Sequence, residues 1–105
     1  MAQRIFIDRF SVPVNARKEF MERMTYNRNF LKKLPGFIED NAYETTGNEG
    51  NLLIVTVAVW ESDEAIARAK EAVQAEYKKI GFNMPEFLQR QNISIERGIY
   101  NKMSE

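Results

Sequence analysis

Nine consecutive residues, Leu52-Leu53-Ile54-Val55-Thr56-Val57-Ala58-Val59-Trp60, contain one hydroxyl and no charge. β-Branched residues make up most of the run, which favours a strand. A strand turns successive side chains to opposite faces. Leu52, Ile54, Ala58 and Trp60 therefore share one face, and Leu53, Val55, Val57 and Val59 the other. A strand apolar on both faces belongs in the middle of a sheet. The run is too short to cross a bilayer as a helix, and no other window comes closer.

The rest of the chain reads as what surrounds this strand. Gln3 to Phe10 is a first strand with Ile5, Phe6, Ile7 and Phe10 as its apolar content. Pro13 and Asn15 end it, and Asn15 has the chemistry to cap a first helix from Ala16 to Leu34. Ala16, Phe20, Met24, Asn27, Leu31 and Leu34 recur at helical spacing on that helix. Pro35-Gly36 stops it, and Phe37 to Thr45 is a second strand. Gly47-Asn48-Glu49-Gly50-Asn51 is a hairpin turn of residues that tolerate positive φ. Ser62 caps a second helix with the stripe Ile66, Ala69, Val73, Tyr77 and Ile80, and Gly81 fits its end. Pro85 to Leu88 is a short helical turn. Asn92 to Tyr100 is a fourth strand, alternating as an edge strand should.

The order β-α-β-β-α-β is that of a ferredoxin-like α+β fold with a four-stranded antiparallel sheet. It places strands one and three in the centre. The 105 residues fit one domain, 1–105. Two helices cover only one face of the sheet, so the second apolar row of strand three needs another cover. Each large aliphatic side chain left wet forfeits about 1.5–3 kcal/mol. A second copy packed by two-fold symmetry supplies that cover, and a homodimer is expected.

Composition narrows function. Lys+Arg and Asp+Glu are both 15, with no basic stripe, so neither nucleic acid nor an acidic membrane surface is an expected partner. There is no Cys and no His. Thiolate and imidazole chemistry is therefore absent, and with it most zinc and iron sites and any Ser-His-Asp triad. Asp, Glu, Tyr, Lys and Arg remain for proton transfer. Met1 to Asp8 has no long apolar segment before its first acid, which reads as no signal peptide and a cytoplasmic protein.

Leu52 to Ala65, ending in Val59-Trp60-Glu61-Ser62-Asp63-Glu64-Ala65, resembles the third strand and second-helix start of the antibiotic biosynthesis monooxygenase family. Length, element order and the Pro35-Gly36-Phe37 turn resemble it too. The resemblance implies a dimeric α+β barrel with a pocket between sheet and helices in each subunit. Some members of that family oxidise polycyclic phenols or quinols with O₂ and no metal or flavin, and others degrade haem. The haem-degrading relatives use an Asn on strand one, a Trp in helix two and a His near its end. Asp8, Ala69 and Lys79 or its neighbours stand at the aligned positions here, so haem degradation is not expected.

Asn27, Tyr77 and Asp8 are the candidate catalytic residues. Asn27 interrupts the apolar stripe of helix one, where an amide must be bonded. It either binds a substrate oxygen or is satisfied by neighbouring backbone. Tyr77 lies on the inner stripe of helix two, as a phenolic donor or base or as an ordinary core residue with a polar tip. Asp8 sits among apolar neighbours in a central strand. It is either a base with a shifted pKa or the partner of Arg9, Arg28 or Arg97. Trp60, Met24, Ala69, Val73 and Phe20 are the candidate substrate-binding residues, and packing is the alternative for each. The expected activity is O₂-dependent oxidation of a small aromatic or quinol-type molecule without metal or cofactor. A non-catalytic ligand-binding or stress-related protein on the same dimeric scaffold is the alternative.

Overall fold

The computed structural model describes residues 3–103. Met1 and Ala2, part of the amino-terminal stretch read above as no signal peptide, lie outside the described residues. Seven elements follow in order: β1 (Arg4–Val12), α1 (Arg17–Leu31), β2 (Phe37–Thr46), β3 (Leu52–Trp60), α2 (Asp63–Ile80), α3 (Met84–Arg90) and β4 (Ser94–Tyr100). The sheet order is β2-β3-β1-β4 with every neighbour antiparallel, so β1 and β3 are central as the ferredoxin-like pattern requires. No helix among the described residues is long and apolar enough to cross a membrane.

The entry to α1 differs from expectation. Val14–Ala16 forms a 3₁₀ turn closed by the Ala16 N–H donating to the Pro13 carbonyl at 2.9 Å. The helix then begins at Arg17, and Asn15 does not cap it. The backbone of the tight turn leads into the helix, so no side-chain cap is made. At the other end α1 stops at Leu31, and Lys32 to Gly36 form turns. Ser62 does cap α2, its hydroxyl accepting from the Ala65 N–H at 3.1 Å. Gly81 closes α2 with φ +70, a left-handed conformation that favours glycine. The last helix is longer than the expected turn and is capped by Asn83. The fourth strand starts at Ser94 rather than Asn92. Asn92 has φ +57, and Ile93 is drawn into the core.

All helices lie on one face of the sheet, over the row Leu52, Ile54, Thr56, Ala58 and Trp60 of β3 and the row Phe6, Asp8, Phe10 and Val12 of β1. The core there is divided in two. One cluster joins Val12, Phe20, Leu52, Ile54, Phe87 and Ile93. The other joins Trp60, Ala65 and Ala69 with Phe6, Leu31 and Phe37. Ile80, expected on the inner stripe of α2, is 40% exposed at the helix end. The opposite face carries Leu53, Val55, Val57 and Val59 with Ile5 and Ile7, and no element among the described residues covers it.

Candidate functional site

Asp8 occupies the gap between the two core clusters. On β1 it lies between Phe6, which packs on one cluster, and Phe10, which packs on the other. Across the sheet it pairs in register with Thr56 of β3 on one side and Arg97 of β4 on the other. Thr56 is the single hydroxyl of the apolar run. The three side chains thus form one polar row, Thr56–Asp8–Arg97, on the helix-covered face.

A carboxylate taken out of water needs a partner. Asp8 is 9% exposed, and both of its oxygens are held. Arg97 donates from Nε to Oδ1 at 2.8 Å and from Nη2 to Oδ2 at 3.1 Å. This forked geometry fixes the guanidinium plane. The same guanidinium lies 5.1 Å from the centre of the Phe6 ring, within cation–π range. Its bond to Asp8, ahead of the opposing effect of burial, holds Arg97 firmly in its charged form.

Asn27 from α1 lies beside the Tyr77 hydroxyl of α2. Burial pushes the Tyr77 hydroxyl above its ordinary pKa of 10.0, while the Asn27 amide beside it and the charges of Arg97 and Arg23 pull the other way without prevailing. Tyr77 therefore keeps its proton at neutral pH. Its ring packs edge-on against Phe82 at 5.1 Å, and the Arg23 guanidinium lies 4.1 Å from the Phe82 ring centre. A phenol hydroxyl and an amide thus stand together, with the Arg97 guanidinium close enough for its charge to act on the phenol. Such a set can bind an oxygen atom and stabilise negative charge on it. Among the described residues no cluster of three or more Asp or Glu could hold a metal ion.

The expected substrate-binding residues divide between the two core clusters and α2. Phe20 is buried in the first core cluster, with Met24 packed against it. Trp60 and Ala69 are buried in the second, where Trp60 stacks edge-on with Phe37 at 5.4 Å. Val73 is half-buried on α2. A cavity of about 410 Å³ lies on the opposite, uncovered face, lined by Arg9, Ser11, Tyr43, Leu53, Val55 and Glu96 among others. Thr56 joins the three expected residues, as does Arg97, one of the three partners expected for Asp8. Thr56 announces itself as the one polar residue of the run. Arg97 follows from strand parity, since it falls on the same face of β4 as Ile95 and Ile99.

No family model matches the sequence. No curated protein shows a sequence match. Solved structures do match. A cofactor-independent oxygenase from Streptomyces nogalater, SnoaB, is 22% identical, with 100% of this chain and 97% of that chain covered and a TM-score of 0.67. A candidate antibiotic biosynthesis monooxygenase from Bacillus cereus is 20% identical, covers 100% and 97%, and has a TM-score of 0.60. The chain has the fold of the antibiotic biosynthesis monooxygenases. A dimeric ferredoxin-like protein from an uncultured marine organism matches at a TM-score of 0.74 with 9% identity over 100% and 99%. At these identities the likeness is one of fold.

Proposed function

We propose that this protein is a cofactor-independent monooxygenase that oxidises a small aromatic or quinol-type molecule with O₂, and that it works as a homodimer. The observation that supports the activity is the meeting of Asn27 and Tyr77, from α1 and α2, on the sheet face that carries the Asp8–Arg97 pair, in a fold shared with a cofactor-independent oxygenase. The chemistry asks little of the protein beyond binding, orientation and exclusion of water. A phenol in its keto form has a CH₂ group whose anion is conjugated with oxygen. The substrate loses one of those protons to Asp8 and passes one electron to O₂. The radical pair joins as a carbon-bound peroxide, which takes a proton and loses water. The CH₂ becomes a carbonyl, one oxygen atom enters the product, the other leaves as water, and the substrate supplies all the electrons. Tyr77 and Asn27 hold the substrate oxygen as charge builds on it.

Oxygen uptake with hydroquinone-like substrates is the test. Uptake should be steady in the wild type and fall about a hundredfold in Asn27→Ala, the loss typical of removing one donor to a developing oxyanion. A broad panel with no uptake above buffer would sink the oxygenase. A second reading, a ligand-binding protein without turnover, is favoured by one observation: both Asp8 oxygens are already occupied by Arg97. Ligand-induced thermal stabilisation without oxygen uptake would establish it.

A further inference from the structure

Charge on the sheet divides by face. Arg4, Asp8, Asp40, Glu44 and Arg97 lie on the helix-covered side. Each has an ion-pair partner within the chain: Asp63, Arg97, Arg28, Arg17 and Asp8 in turn. Arg9, Glu39 and Glu96 lie on the open side. None of these three has an ion-pair partner among the described residues. Arg9 stands on the central strand β1, level with Val55 of β3, where an aliphatic side chain would extend the apolar centre. Glu96 is its register neighbour on β4. Both are exposed in the single chain. Besides the cavity of about 410 Å³, the open face has a smaller hollow of about 60 Å³, and Arg9 and Glu96 line both. Tyr100 walls the smaller one by lying back over Gly98, where a Cβ would stand 2.8 Å from its ring. The face therefore has room for incoming side chains beside two opposite, uncommitted charges. Glu39 is at the far corner, on the edge strand β2 and level with Val59.

A second sheet laid on this face takes Arg9 out of water, and a buried guanidinium needs a carboxylate. In a two-fold interface every contact occurs twice, so a surface with one cation beside one anion is complementary to its own copy. We propose that Arg9 of each protomer pairs with Glu96 of the partner subunit, and that these two reciprocal pairs fix the register of the dimer. An apolar face alone can slide against its copy at little loss. A buried charge that finds its acid in one alignment cannot. The proposal rests on the homodimer reading for the presence of the second copy, and it adds which side chains select the arrangement.

Charge reversal is the test. Both side chains are exposed in the single chain, so reversal should leave the protomer folded, which circular dichroism checks. Arg9→Glu sets acid against acid across the axis, and Glu96→Arg sets cation against cation. Each should raise the dimer dissociation constant, measured by sedimentation equilibrium, about a hundredfold or more, since symmetry repeats the loss. An equimolar mixture of the two variants should form a heterodimer, because each acid then meets a cation. The double variant Arg9→Glu/Glu96→Arg should dimerise with itself. Glu39→Arg should not rescue Arg9→Glu. A dimeric wild type whose dissociation constant neither reversal changes overturns the proposal and leaves the homodimer standing. A mixture that stays monomeric, or rescue by Glu39→Arg, does the same. A monomeric wild type sinks the homodimer and the proposal together. Should Arg9→Glu fail to fold, Glu96→Arg and the double variant decide, because Glu96 is on an edge strand.

Discussion

Asp8, Arg97 and Tyr77 show how a polar group is tolerated beneath a helix layer. The carboxylate is held by a fork, and the phenol keeps its proton because burial disfavours its charged form. The second fact sets a pH dependence. The folded state binds the Tyr77 proton more tightly than the unfolded chain, whose tyrosine titrates near the ordinary value of 10.0. The resulting stability is fully present below that value and is lost as pH rises through the higher folded-state pKa. Urea midpoints at neutral pH and above pH 10 should therefore fall less in Tyr77→Phe than in the wild type. An identical fall in both proteins would show that Tyr77 does not titrate differently in the fold. The bland alternatives for two candidates also become concrete at this scale. Trp60 is 3% exposed and packs edge-on against Phe37, and Phe20 is 4% exposed in the first core cluster.

Where elements meet, the tightest constraint is the Pro35-Gly36 turn against the start of α2. Gly36 has φ +85, and its carbonyl accepts from the Glu61 N–H at 2.8 Å. A Cβ built on Gly36 would stand 2.4 Å from the Ala65 Cβ. Gly36→Ala should cost about 1 kcal/mol for the left-handed backbone alone, and more for the collision. In a double-mutant cycle with Ala65→Gly the collision should appear as a coupling between the two sites, and additive losses would refute it. Ser62→Ala, which removes the cap of the same helix, should cost about 1 kcal/mol by chemical denaturation. Strand order and both central strands were legible in the sequence, because a run apolar on both faces has one place in an antiparallel sheet. The start of α1 was not, because Asn15 has the chemistry of a cap and only the closed 3₁₀ turn from Pro13 shows that it is unused. The candidate site was half legible. Asn27 and Asp8 stand out as polar residues in apolar patterns. That Asn27 meets Tyr77 depends on how α1 and α2 lie side by side, which spacing along one helix does not encode.

At the scale of the whole molecule the helices account for one face of β3 and leave the other open. The described chain forms a slab measuring 42 × 39 × 18 Å between Cα atoms, with one helix layer on one sheet. On the open side Ile5, Ile7, Val55, Val57 and Val59 are only half-buried, and Leu53, Tyr43 and Tyr100 are 37%, 59% and 48% exposed. The edges of that face carry Glu39, Asn41, Thr45 and Ser94, so the apolar centre has a polar rim, the layout of a protein–protein interface. A second copy of the same sheet, placed by a two-fold axis, would cover the centre with its own. It should bury more than about 1,000 Å², the area a specific interface requires. Val57 lies at the middle, level with Ile7 of β1 and Asn41 of β2. Val57→Asp would bring two unpaired carboxylates together across the axis, a burial that costs several kcal/mol unless the interface opens. It should give monomer or insoluble protein, whereas Val57→Ala, which only trims the contact, should remain dimeric. Light scattering on the wild type at micromolar concentration should give twice the 12.3 kDa chain mass. A stable mass near 12.3 kDa would leave the apolar face of β3 wet, and the homodimer would have to be abandoned.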